Sequence, residues 1–449
     1  MTGLISAQDR ELLLRLLRTP TVNPLERSGE PSDIARAQRF YAESARESGL
    51  RVVHHAAAPS SALDAPGVPR TVREAAADEN FLAGQPNLVL RLGPQLPRES
   101  TVMFNVHLDT VAGLEPVCFD GERFTGRGSI DAKGPAVALL AGIREAARTE
   151  PAIGRDLGVL VQAVAGEEGG AMGSFGTRPL VDAGFLGRLN VFCEPTGMRY
   201  LTRSTASATA LLSVDGAGAI DDRPDAGHNA TVLLGFLAQH LAKELDPQER
   251  PGRLCVAGLH TGELHNRVYG SGGLLLNLSY ESSDEGAAAE RDLEDSLHRG
   301  LSEFTRTFGG TREFARTAAE AASIIELRWL KRGLPALRGG HSWTDELLER
   351  AGVPGWPAEE SAFTCDAIWM AERPGTGTVV LGPGSLETNN AHAEGEYAEL
   401  AQLQDFAAAV AALLKSTAGT AAERPLRTEA PAQRTERHPA TDAGKGTAR

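Results

Sequence analysis

Three short apolar runs, each ending abruptly in ionisable side chains, limit what this chain can fold into. Ser100-Thr101-Val102-Met103-Phe104-Asn105-Val106 leads to His107-Leu108-Asp109, Leu157 through Val164 leads to Glu167-Glu168, and Leu189-Asn190-Val191-Phe192-Cys193 leads to Glu194. Apolar runs of this length bounded by charge read as buried strands. In an open α/β sheet, sites lie at the carboxyl ends of such strands. On the first strand, period-two geometry puts His107 and Asp109 on one face. A carboxylate there can orient an imidazole that ligates a metal, although the pair alone equally suits a hydrogen-bonded histidine at a strand end.

At 449 residues the chain is too long for one ordinary core and predicts two domains plus appendages. A hydrophobic content of 41% suits a soluble globular protein, and a net charge of -14 argues against nucleic acid as a partner. Cys118, Cys193, Cys255 and Cys365 are scattered without a CxxC, so neither a thiolate zinc site nor a disulfide framework is indicated. The first ten residues lack a signal-peptide pattern and no run reaches membrane-spanning length, so the expectation is a cytoplasmic protein with no membrane partner.

In chain order, Ser6 caps a helix with Leu12, Leu13, Leu16 and Leu17 on its stripe, ended by Pro20, and Thr21-Val22-Asn23-Pro24 reads as a loop. A helix over 32–48 and a strand over 50–55 follow. Residues 57–86 read as a surface insertion with one short helix near Thr71 to Ala77, ahead of a strand at Asn87 to Leu92. Gly126-Arg127-Gly128-Ser129-Ile130-Asp131-Ala132-Lys133-Gly134 holds a carboxylate between glycines at the mouth of a helix running to Arg148. Over 205–331 the pattern changes to strand, helix, two strands, helix and strand, a two-layer α+β module inserted into the first domain. Residues 332–415 return to that domain with a strand at Gly377 to Leu381 and a last helix through Leu414, and 416–449 read as a disordered tail. The expected fold class is α/β: a catalytic domain of 1–204 and 332–415, with a mixed central sheet flanked by helices, interrupted by the smaller module.

Collected together, His107, Asp131, Glu168, Glu194 and His392 supply two imidazoles and three carboxylates. With one carboxylate shared, that set suits two divalent ions about 3.5–4 Å apart and leaves Glu167 free as a general base. These stretches, with Glu194-Pro195-Thr196, Gly382-Pro383-Gly384, Ala391-His392 and Glu396, resemble the acetylornithine deacetylase, succinyl-diaminopimelate desuccinylase and aminoacylase family of co-catalytic zinc peptidases. The resemblance runs from the first helix to about Leu414. It implies that Asp131 bridges two ions, zinc with cobalt or manganese as alternatives, that His107 and Glu194 complete one site and Glu168 and His392 the other. It also implies that Asp109 orients His107, that Glu167 is the general base, that the peptide bond after Asp131 is cis, and that the module is a lid through which a homodimer forms.

The substrate side departs from the family. Where its lid carries a histidine, this chain has Ile220 within Gly216-Ala217-Gly218-Ala219-Ile220-Asp221-Asp222, and the arginines expected at two further places are Tyr280 and Ile368. Asn266 is kept. His228, His260 and His265 are candidates to replace the missing imidazole, with Asp221 and Asp222 as candidates to receive a positively charged substrate group. Arg203, Arg223 and Arg267 are the alternative, as partners for a substrate carboxylate. The leading expectation is a metal-dependent hydrolase of an amide bond in a small amino-acid-derived substrate. The alternatives are a catalytically impaired or dimeric binding relative, and a transfer or condensation reaction on the same metals.

Overall fold

The computed structural model describes residues 3–26, 29–246 and 252–423. Its helices are α1 (Ala7–Arg18), α2 (Ile34–Glu47), α3 (Lys133–Thr149), α4 (Ala230–Leu245), α5 (Ser283–Phe308), α6 (Ala315–Ile324) and α7 (Leu400–Glu423), with short helical turns between. The main strands are β1 (Arg51–Ala57), β2 (Pro86–Leu92), β3 (Thr101–His107), β4 (Gly158–Val164), β5 (Leu189–Phe192), β6 (Ala206–Asp215), β7 (Arg253–His260), β8 (Ser271–Tyr280), β9 (Ile325–Lys331) and β10 (Gly377–Val380).

The larger sheet has the order β1-β2-β4-β3-β5-β10. It is mixed: β1, β2 and β4 pair antiparallel, while β4, β3, β5 and β10 run parallel. The apolar runs became strands because both faces of β3 and β4 are covered, and every residue of each is buried. α3 shows the same logic, packing its small residues closely against α7. The four parallel strands end at one edge, which delivers His107, the Glu167-Glu168 segment, Glu194 and the loop after β10 to a common place.

Residues 206–331 form a second antiparallel sheet, β7-β8-β6-β9, whose alternating leucines pack against α4, α5 and α6 in a separate apolar core. Ser204 and Leu337, just outside this module, exchange backbone hydrogen bonds, so the two connections leave the larger sheet side by side.

Three local expectations need correction. The insertion holds two α-helices, Arg70–Ala75 and Glu79–Ala83, with a 3-10 turn at Ser60–Asp64, because Leu63, Val68 and Val72 are buried beneath it. α6 was not expected: its buried residues are Thr317, Ala318 and Ala321, too small to produce an apolar period. The last helix continues past Leu414 to Glu423, with Ala418 buried and Thr417 bonded back to Leu413. The rest of the expected tail, 424–449, lies outside the described residues.

Candidate metal centre

Asp131 sits at the mouth of α3, and the peptide bond that follows it is cis. Its two carboxylate oxygens face two imidazoles: His107 Nε2 lies 2.8 Å from Oδ1, and His392 Nε2 lies 2.9 Å from Oδ2. His392 arrives from the loop after β10 with φ 62, a left-handed backbone uncommon for a side chain this large. Its Nε2 also lies 3.0 Å from Glu168 Oε1. The one N–H there is taken by Asp131, so Glu168 Oε1 is buried without a hydrogen-bond donor.

Glu396 fixes the loop that presents Asp131. Its buried carboxylate accepts from the backbone N–H groups of Gly128, Ile130 and Asp131 at 3.0, 3.0 and 3.2 Å, and from Arg127 Nη1 at 2.8 Å. Glu115 pairs with the same guanidinium and accepts from the N–H groups of Gly395 and Glu396, tying the His392 loop to the Asp131 loop. Lys133, fully buried, donates to the Thr19 carbonyl. Burial pulls its pKa down to about 7, against the pull of Glu396 and Asp109.

The electrostatics follow from crowding. Burial alone would depress His107, but its hydrogen bond to Asp131 and the charges of Asp131, Glu194 and Glu167 hold it well above the ordinary imidazole range. Its Nδ1 faces the Asp109 carbonyl at 2.9 Å, so both ring nitrogens point at acceptors. His392 is pushed up to about 10 by its contacts with Asp131 and Glu168. Burial raises Glu167 and Glu194 well above the carboxylate range, and the mutual repulsion of Glu167, Glu168, Glu194 and Asp131 adds to it. Glu168 is raised to about 7 by burial, partly offset by His392. Asp131 is driven the other way, its burial outweighed by the two imidazoles.

This donor set fits a divalent cation. Ligand atoms of His107, Asp131 and Glu168 all lie within 4.8 Å of one another, and the orphaned Glu168 Oε1 has the lone pairs an ion needs. Glu194 is buried beside them, with His107 and Asp131 as its main charged neighbours. Glu167, at the same strand end, has Glu168, Glu194 and His107 as charged neighbours and is half-buried.

Asp109 requires a correction. Its carboxylate is 3.8 Å from His107 Nδ1, and the ring is oriented instead by the Asp109 backbone carbonyl. The carboxylate accepts from the N–H groups of Glu168 and Glu167 and from Asn23 Nδ2. The sequence assigns no role to Asn23, which reads only as part of a loop, or to Asp366, since a lone Asn before Pro and a lone Asp in an irregular stretch carry no periodic signal. Asp366 is buried, accepts from Thr177 and is pushed up to about 7 by burial.

On the module, Asp221, Asp222, His260, His265 and Asn266 are exposed, and Ile220 stands 50% exposed. His228 is buried with both nitrogens engaged, Nδ1 by the Ala217 N–H and Nε2 by Glu320, so it has nothing to offer a substrate. Tyr280 and Ile368 belong to an apolar cluster with Met172, Ala206, Leu334 and Trp369. Arg203 Nη2 is committed to the carbonyls of Pro357, Ala358 and Glu360.

The sequence profile of peptidase family M20/M25/M40 matches residues 103–416. A protein of Aeropyrum pernix named as a LysW-lysine/LysW-ornithine hydrolase is 30% identical over 216 residues, 47% of this chain and 57% of that protein. The succinyl-diaminopimelate desuccinylase of Gluconobacter oxydans is 29% identical over 235 residues, 48% of this chain and 60% of that enzyme. The chain thus spans less than two thirds of either relative. An M20 family metallo-carboxypeptidase from Sulfolobus solfataricus has the same fold, with a TM-score of 0.67 at 12% identity, covering 92% of this chain and 100% of that one.

Proposed function

The chain belongs to peptidase family M20/M25/M40, and from that membership we propose that it is a two-metal hydrolase of an amide bond in a small amino-acid derivative. The observation that carries the reading is the convergence of two imidazole Nε2 atoms on the two oxygens of one buried carboxylate, with a buried oxygen of Glu168 3.0 Å from the second imidazole. His107, Asp131 and Glu194 would hold one ion and Asp131, Glu168 and His392 the other. When bound, the ions supply Lewis acidity, which favours ionisation of water and offsets negative charge on the carbonyl oxygen.

The remaining work belongs to the protein. The Asp109 carbonyl takes the Nδ1–H of His107 and fixes the tautomer that leaves Nε2 as the ligating nitrogen. Glu167 accepts the proton of the attacking water. It passes that proton to the leaving amine.

The substrate we propose carries an amine besides the scissile amide. The positions expected to hold cations for a carboxylate are packed in apolar surroundings at Tyr280 and Ile368, and Arg203 has its Nη2 committed to carbonyls. Asp221 and Asp222 stand exposed on the module. The two curated relatives are named for derivatives of lysine, ornithine and diaminopimelate, all diamino acids.

The test is to strip the protein with chelator, reload zinc, count ions by mass spectrometry and assay N-acyl amino acids and dipeptides with and without a side-chain amine. Two ions per chain and chelator-sensitive turnover, faster on the amine-bearing members and slowed by Asp221→Asn with Asp222→Asn, are expected. Turnover untouched by chelator would overturn the hydrolytic reading. A preference for free carboxylates indifferent to the two substitutions would overturn the substrate. One observation favours the impaired alternative: Ile220, exposed and apolar, cannot donate to an oxyanion. Stoichiometric metal without turnover on the whole panel would select it.

A further inference from the structure

We propose that Asn23 is a positioning residue that holds the Glu167-Glu168 segment through Asp109, an inference that rests on reading Glu167 as the general base. Asn23 is fully buried and comes from the segment just after α1, far in sequence from Asp109 and Glu168. Its Nδ2 has two hydrogens and both are used: Asp109 Oδ2 accepts one at 2.8 Å and the Glu168 carbonyl the other at 2.9 Å. Asp109 Oδ2 also accepts from the Glu168 N–H at 3.1 Å. The backbone of Glu168 is therefore gripped at its N–H by the carboxylate and at its C=O by the amide, and carboxylate and amide grip each other.

The amide is itself locked. Its Oδ1 accepts from the Leu25 N–H at 2.9 Å, and its own N–H donates to the Thr110 carbonyl at 2.9 Å. A flipped side chain would turn an oxygen toward a carboxylate. The segment turns through Gly166, Gly169, Gly170, Met172 and Gly173, all with φ between 54 and 80. Its own bonds, Ala171 N–H to the Glu168 carbonyl and Gly173 N–H to the Gly166 carbonyl, hold these turns together but do not tie them to Asp109, and the amide supplies that tie. Only a group with two donors on one side and an acceptor on the other answers this arrangement. A carboxylate there would repel Asp109, and a hydroxyl would leave one acceptor bare.

The experiment measures Asn23→Asp and Asn23→Ala in the wild-type and Glu167→Gln backgrounds at saturating zinc, on whichever N-acyl amino acid or dipeptide the wild type turns over fastest. Calorimetric titration of zinc into the metal-free proteins accompanies it. Both variants should lose about 10- to 100-fold in kcat, with KM within about threefold, and the weaker zinc step should loosen by about tenfold. In the Glu167→Gln background the further loss in kcat should be less than about twofold, since the residue acts through the missing base. Asn23→Asp keeps the shape and the Leu25 contact, and decides the question if Asn23→Ala does not fold. Wild-type kcat in Asn23→Asp, or an equal fold-loss in both backgrounds, would overturn the proposal. Wild-type turnover by Glu167→Gln alone would instead remove the base reading, and unchanged zinc titrations would then remove the role of Asn23 as well.

Discussion

His107 and His392 carry protons where the proposed ions would sit, so metal uptake and proton release must be linked. Both imidazoles titrate above neutrality in the metal-free protein, His392 at about 10. At pH 7 both are charged, and ligation through Nε2 expels those protons, so zinc affinity should rise with pH through neutrality. Calorimetry in two buffers of different ionisation enthalpy should report at least two protons released at pH 7, those of the imidazoles, with any carried by Glu168 and Glu194 adding to them, whereas none would exclude the ring nitrogens as ligands. Glu167→Gln should keep its metal and lose about 10²- to 10⁴-fold in kcat, while His107→Ala should lose metal, both read by mass spectrometry alongside turnover. His107 and Glu167 were legible because each follows a strand, and strand ends can be read from apolar runs, whereas His392 lies in a polar loop and was legible only in company with the other ligands. Asn23 was not, because its role lies in partners far along the chain, and Asp109 was recognised for its side chain while its backbone does the orienting.

Among the elements, the loop before α3 and the loop after β10 are separate in sequence and joined by Glu396. Glu396→Gln keeps the shape but turns an amide toward backbone donors, leaving buried N–H groups short of an acceptor. It should destabilise the metal-free protein by about 2–4 kcal/mol in urea unfolding, and should weaken zinc binding because Asp131 and His392 lose their common anchor. The long apolar or amphipathic elements could be read from sequence to within a few residues. The insertion helices and α6 could not, because their buried faces are made of isolated valines, leucines and alanines. Their positions are set by what lies beneath them: Phe81 of the insertion meets Phe175 at 5.3 Å, and Arg178 holds the Pro66 carbonyl while stacking on Trp369.

In the molecule as a whole, the module's edge strand β7 leaves Val256 and Leu259 each 43% exposed. If the chain forms the homodimer that its family resemblance implies, this edge would serve, and Val256→Glu with Leu259→Glu should shift sedimentation from dimer to monomer without changing the metal content. Among the described residues no helix is long and apolar enough to cross a membrane. The paired connections at Ser204 and Leu337 bear on how such a molecule can move. Two bodies joined by a single strand turn freely in any direction, whereas two connections bonded to each other at one rung cannot twist independently. The module is also seated on the larger body, where Ala206, Ala208 and Tyr280 pack with Met172, Ile368 and Trp369, so a substrate would meet the same side of it each time it arrived.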